Sequence, residues 1–174
     1  MILGMSIPMF TMLHVIISLI GIASGLFVLY GMITVRRYHG LTGLFLATTV
    51  LTSVTGFFFP FASFGPSHMI GVISLVLLTA AILALYVFHL ERFWRWIYIS
   101  CAVAALWLNV FVGVVQAFQK LAFLSPLAPT QSEPPFLIAQ VVVLAVFVVF
   151  GFVAVRKFRP GMRGLAWSSF HIRQ

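Results

Sequence analysis

The sequence predicts an all-α integral membrane protein, a bundle of five transmembrane helices with a four-helix core and a fifth helix. The first observation is composition: 63% of the residues are hydrophobic and 7% are charged, too few charges for the surface of a water-soluble domain. The second is a series of apolar runs, each about long enough to cross a hydrocarbon core of ~30 Å at 1.5 Å per residue. These runs cover residues 7–35, 41–62, 67–89, 97–118 and 136–155.

The distribution of basic residues predicts an outside N-terminus and an inside C-terminus. When the five runs are threaded in order from an outside N-terminus, only Lys120 of the ten Lys and Arg residues falls outside. The other nine fall inside, as the positive-inside rule requires. They are Arg36, Arg37, Arg92, Arg95, Arg156, Lys157, Arg159, Arg163 and Arg173. The basic residues behind the net charge of +8 therefore determine the topology. We expect them to contact lipid headgroups rather than nucleic acid.

The first two helices are predicted from their boundaries. Ser6 followed by Pro8 is a plausible helix start, since serine caps helices and proline is tolerated in the first turn. The first helix should end at a short inner turn at residues 36–40. The second should end in a cluster of phenylalanines around Pro60.

Gly65-Pro66-Ser67 predicts a tight outer turn into the third helix, and residues 90–96 predict an aromatic, basic inner turn before the fourth. Short connections make neighbouring helices antiparallel. Residues 119–135 contain four prolines, which predicts an irregular outer loop before the fifth helix. We expect one membrane domain over residues 1–174, with a basic cytoplasmic tail at 156–174 that lies on anionic headgroups.

Polar and small residues mark the faces on which helices pack. His14, Ser18, Gly21 and Gly25 recur at four, three and four residues, which places them on one face of the first helix. Small residues on such a face indicate that it packs against other helices. The fourth helix has a similar series in Ala105, Asn109, Gly113 and Gln116.

The predicted topology gathers five polar side chains from four helices in the outer part of the bundle. They are His14, His68, Gln116 and Gln140, with Asn109 somewhat deeper. Their roles divide into two alternatives. They could hydrogen-bond between helices and hold the bundle together, or they could form a site for a cofactor or small ligand.

Two cofactors fit these residue types. Neutral imidazoles of His14 and His68 facing each other suit haem b, which would place their ring nitrogens within about 5 Å or on either side of one ligand. Alternatively, thioethers beside the imidazoles form a soft ligand set that favours Cu(I). The thioethers at similar depth belong to Met9, Met12 and Met69. A protein with no cofactor is the third alternative.

A second histidine pair, His39 and His89, is predicted at the inner side. Ordinary headgroup or helix C-terminal contacts explain these residues well. His68 and His89 would lie about 31 Å apart along one helix, which is wide for direct exchange between two haems.

The arrangement resembles small bacterial membrane proteins of the cytochrome b561 type and oxidase-assembly-like families. The residues that carry the resemblance are Leu13-His14, the segment 36–43 and the segment 91–96. The resemblance implies a bacterial inner-membrane, multi-pass protein with haem held by intramembrane histidines, or a helper role in assembling a respiratory complex. This chain has no histidine in its fourth and fifth predicted helices.

Three functions follow as hypotheses. The first is a redox-accessory or respiratory-complex-associated protein in electron transport, with an outer-side haem b site. The second is a Cu(I)-handling protein. The third is a structural subunit or assembly factor, whose partners are other membrane subunits or further copies of itself. We do not expect a hydrolase, because the sequence contains no aspartate and its one cysteine lies far from the outer histidines.

Overall fold

The computed structural model describes residues 2, 4–36, 38–59 and 65–158, and only the backbone of Pro66 and Ser67. It contains five α-helices: α1 (Ile7–Ile33), α2 (His39–Gly56), α3 (Pro66–Ile82), α4 (Trp94–Lys120) and α5 (Pro134–Lys157). Four of these, with α3 counted together with a π-helical turn that continues it, are long and apolar enough to cross a membrane. The prediction of an all-α, membrane-type bundle is therefore confirmed at this level.

The helix boundaries follow the expected signals closely. Ser6 is the N-cap residue of α1 in an extended conformation, and a proline stands in the first turn. α3 begins directly after Gly65, again with proline in its first turn. α2 is shorter than its predicted run, since it ends at Gly56 and Phe57–Phe59 form a turn. The rest of that run, and the predicted tail from residue 159 onward, lie outside the described residues.

The predicted packing face of α1 meets α2 and α4. A Cβ atom on Gly21 would lie 3.2 Å from Thr48 Oγ1, and one on Gly25 would lie only 2.5 Å from Leu106 Cδ1. Ile16 and Phe27, on other faces of α1, are 44% and 60% exposed. The helices therefore approach each other most closely where α1 carries no side chain, as the small-residue series predicts.

The connection between α3 and α4 is compact. One π-helical turn at Leu83–Val87 ends α3, and Leu90 N–H then donates to the Ala84 carbonyl. His89 and Leu90 adopt left-handed backbone angles, with φ of 48° and 61°. Phe88 stacks on Trp94 with ring centroids 3.7 Å apart, which joins the end of one helix to the start of the next.

The connection between α4 and α5 contains a short 3-10 helix at Ser125–Leu127. Hydrogen bonds stabilise the end of this connection near the start of α5, where the Glu133 carboxylate accepts from the backbone amides of Thr130 and Ser132. At the other end of α5, Arg95 Nη1 donates to the Phe158 carbonyl at 3.0 Å. α5 is therefore joined to neighbouring parts of the chain at both ends.

Candidate functional site

His14 lies half-buried on α1 and faces the last turn of α2. Its Nδ1 is 2.8 Å from Thr55 Oγ1, and its ring meets the Phe59 ring edge to face with centroids 5.2 Å apart. Gly56 also borders the imidazole, since a Cβ there would be in ordinary van der Waals contact with His14 Cε1, at 3.9 Å. The residues that surround His14 therefore come from the end of α2.

The hydrogen bonds of Thr55 fix the tautomer of a neutral His14. Thr55 Oγ1 lies 2.6 Å from the Leu51 carbonyl, which can only accept. A threonine hydroxyl has one proton, so Oγ1 donates to Leu51 and accepts from His14 Nδ1–H. The neutral imidazole then carries its proton on Nδ1 and presents a lone pair on Nε2. This is the form in which histidine binds a metal through Nε2 while its other nitrogen is held in place.

His68 occupies a different kind of position. It is 8% exposed, it packs against Phe57, and its Nδ1 accepts the Gly65 backbone N–H at 3.4 Å, closing the first turn of α3. A neutral His68 that accepts at Nδ1 carries its proton on Nε2. Ligation of haem through Nε2 would require the other tautomer and the loss of this cap. That the two imidazoles lie within about 5 Å remains a prediction.

The polar side chains of Asn109 and Ser74 form hydrogen bonds with hydroxyl groups of α2. Asn109 Nδ2 on α4 donates to Thr49 Oγ1 at 3.3 Å, and Ser53 Oγ is hydrogen-bonded to Ser74 Oγ on α3 at 3.0 Å. These α2 residues are not among the site residues predicted from the sequence. Their signal is the spacing of two series along one helix, Thr48-Thr52-Thr55 and Thr49-Ser53.

The two glutamines have different surroundings. Gln140 Nε2 donates to the Phe111 carbonyl at 3.2 Å, which joins α5 to α4. Gln116 is exposed, although it belongs to the same series as the buried Ala105. The spacing of Gln116 predicts its helical face but not whether a neighbouring helix covers that face. Gln140 therefore joins two helices, whereas Gln116 lies on the surface.

The three methionines proposed as copper ligands point away from the bundle. Met9, Met12 and Met69 are 59%, 67% and 57% exposed. Across the described part of the chain, no group of three or more His, Cys, Asp or Glu side chains is arranged to hold a metal ion. These three thioethers therefore lie on the surface of the bundle.

The second histidine pair also lies at the surface. His39 is the first residue of α2 and is exposed, and His89 is exposed in the turn after the π-helical segment. These positions fit contacts with headgroups or water.

No protein-family model, curated protein or solved structure matches this chain. The resemblance to b561-type and oxidase-assembly-like proteins therefore remains a prediction.

Proposed function

We propose that this protein is a non-catalytic accessory subunit or assembly factor of a larger membrane complex, of the redox or respiratory kind. One observation carries the proposal: the inward polar side chains are used to join helices. His14 joins α1 to α2, Ser53 joins α2 to α3, Asn109 joins α4 to α2, and Gln140 joins α5 to α4. Such hydrogen bonds are the usual means by which membrane helices associate.

The proposal includes five membrane crossings in a bacterial inner membrane, with the N-terminus outside. α2 supplies the second crossing. Its 18 residues extend about 27 Å at helical rise, close to the ~30 Å of a hydrocarbon core. The partners are then other membrane subunits or further copies of this chain, which cover part of the apolar surface of the helices.

A pull-down of the tagged chain from haem-replete cells in mild detergent tests the accessory role. We expect a preparation that contains a membrane-protein partner, or a second copy of the chain, at fixed stoichiometry. His14→Ala should retain that stoichiometry while lowering thermal stability. A chain that purifies alone as a monomer, without any stoichiometric partner, would overturn the accessory role.

The role of His14 in joining helices has its own test, a double-mutant cycle with Thr55→Val. Removing either partner should cost about 1–3 kcal/mol, because the other polar group is left unpaired. Removing both should cost less than the sum of the two single changes. Thr52→Val is the matched control, since Thr52 meets Ser18 at a longer 3.4 Å. Strict additivity of the His14 and Thr55 changes would show that the two side chains do not interact.

A second candidate function is haem b ligation by His14 alone, and the lone pair on its Nε2 is the observation that favours it. In this alternative Thr55 orients the ligand, as partners of ligating histidines do. A Soret band in the purified protein that disappears in His14→Ala and persists in His68→Gln would support it over the first proposal. A band that requires both histidines would instead support bis-imidazole ligation. The exposed methionines give copper handling less support than either.

A further inference from the structure

A groove runs along the surface between α4 and α5, near the end where α4 begins and α5 ends. It encloses about 360 Å³ and is open on one side. Trp107 on α4 and Leu144 on α5 line one end of it, and Val155 lines the other. Its floor is tight, since a Cβ on Gly151 would lie 3.2 Å from Val103 Cγ1. The lining is apolar except for Ser100.

The length of the groove matches one leaflet of a bilayer. From Leu144 to Val155 the helix rises about 16 Å, and half of a hydrocarbon core is about 15 Å. A groove of this length, apolar and open on one side, fits a single acyl chain that enters from the surrounding lipid.

Positive charge is concentrated where the groove meets the end of α5. The Arg156 guanidinium lies 4.2 Å from the centroid of the Phe152 ring, and Phe152 itself lines the groove. Lys157 follows directly. On α4, Arg95 donates one N–H to the Phe158 carbonyl at the end of α5. Most of the five guanidinium donors of Arg95 can therefore bind another acceptor. Arg156 and Arg95 therefore lie near this end of the groove, and Lys157 is the next residue of α5 after Arg156.

We propose that this groove is a binding site for one anionic glycerophospholipid. An acyl chain fills the groove between α4 and α5, and the phosphate lies among Arg95, Arg156 and Lys157. Ser100, about 7 Å along α4 from Arg95, supplies a hydroxyl at the depth of the glycerol esters. Basic pockets between transmembrane helices are the usual sites for anionic headgroups. The inference rests on charge and shape and is independent of the proposed accessory role.

The position of Trp107 in the groove supplies the test. A variant that retains only this tryptophan (Trp94→Phe, Trp96→Phe, Trp167→Phe) is reconstituted in phosphatidylcholine with a small fraction of phosphatidylglycerol brominated on its acyl chain. Brominated phosphatidylglycerol should quench Trp107 more strongly than equally brominated phosphatidylcholine does. We expect this preference to be about fivefold for each basic residue that contacts the phosphate. Arg156→Gln should remove about fivefold of that preference.

Arg36→Gln is the matched control, because it removes one exposed charge from the α1–α2 connection and leaves the groove intact. It should leave the preference almost unchanged. Equal quenching of Trp107 by both brominated lipids would overturn the proposal. So would a finding that Arg156→Gln and Arg36→Gln lose the same amount of the preference for phosphatidylglycerol. Mass spectrometry of the natural chain in detergent provides a readout without tryptophan changes. Retained phosphatidylglycerol that Arg156→Gln loses would support the site, and retained phosphatidylcholine alone would contradict it.

Discussion

Thr55 shows how one side chain limits the chemistry of another. Because its single proton is given to Leu51, the neutral imidazole of His14 must donate from Nδ1. His68 has the opposite arrangement, since its Nδ1 accepts the Gly65 amide. Two histidines that appear equivalent in the sequence therefore differ in the nitrogen that carries the proton. Of these two, His14 can present an Nε2 lone pair and keep its hydrogen bond to Thr55, whereas His68 would lose its bond to Gly65.

Glu133 gives a prediction about pH at the same scale. Partial desolvation raises the pKa of its carboxyl group, but hydrogen bonds from its own amide, from Thr130 and from Ser132 outweigh this and lower that pKa below its ordinary value of 4.5. The contribution of Glu133 to loop stability should therefore be complete above about pH 4.5. It should be lost as the pH falls through the lower, folded-state value.

Hydrogen exchange of residues 121–133, corrected for intrinsic rates at each pH, measures this effect. Protection in the natural chain should fall in acid, whereas Glu133→Gln should show weak protection at all pH values. Glu91→Gln is the control, because Glu91 is the other acidic residue and is exposed in a different turn. Identical exchange of the natural chain and Glu133→Gln at pH 7 would contradict the prediction.

At the scale of elements, the sequence predicted which face of α1 would pack, but not its partners. The spacing of His14, Ser18, Gly21 and Gly25 defines one helical face, and the structure buries both glycines. The partners of this face depend on how α2 and α4 are placed beside α1, which spacing within one helix does not determine. For the same reason Gln116 was assigned to the site, although no neighbouring helix covers it.

Gly25 provides the element-scale prediction. Gly25→Ala should destabilise the bundle by about 1–3 kcal/mol, because the new Cβ would lie within 3.0 Å of the side chains of Leu106 and Phe45. Gly113→Ala is the control, since its nearest neighbour, Ile22 Cδ1, lies 3.7 Å away. That change should be neutral or gain up to about 1 kcal/mol from helix propensity. The free energy of unfolding in detergent, measured for each variant, tests both expectations. Equal changes for Gly25→Ala and Gly113→Ala would show that α1 does not pack through Gly25.

At the scale of the whole molecule, composition and apolar runs predicted the helical membrane architecture with little ambiguity. Hydropathy identifies segments that lipid can surround, and those segments correspond to the observed helices. The candidate site was less predictable. Its hydrogen-bond partners lie on α2, where threonine and serine are common enough that their spacing did not stand out beside the histidines.

The orientation of the bundle is the prediction at this scale. Reporter fusions after residues 65 and 130 should both give an outside signal, and a fusion after residue 95 should give an inside signal, because nine of ten basic residues then remain inside. An inside signal at residue 130 would reverse the assignment of the last connection and of Gln140. A fusion after residue 36 is the internal control and should match residue 95.

The hydroxyl content of α2 also bears on how the chain is made. Six of its 18 residues are threonine or serine, and four of them, Thr49, Thr52, Ser53 and Thr55, hydrogen-bond to side chains of other helices. A segment of this composition partitions into lipid less readily than its neighbours during synthesis, because its hydroxyl groups have fewer partners there. In the proposed topology, in which α2 crosses the membrane, α2 should therefore leave the translocon as a hairpin with α1 already beside it. The order of biogenesis is then set by α1, whose arrival makes the membrane a favourable environment for the helix that follows.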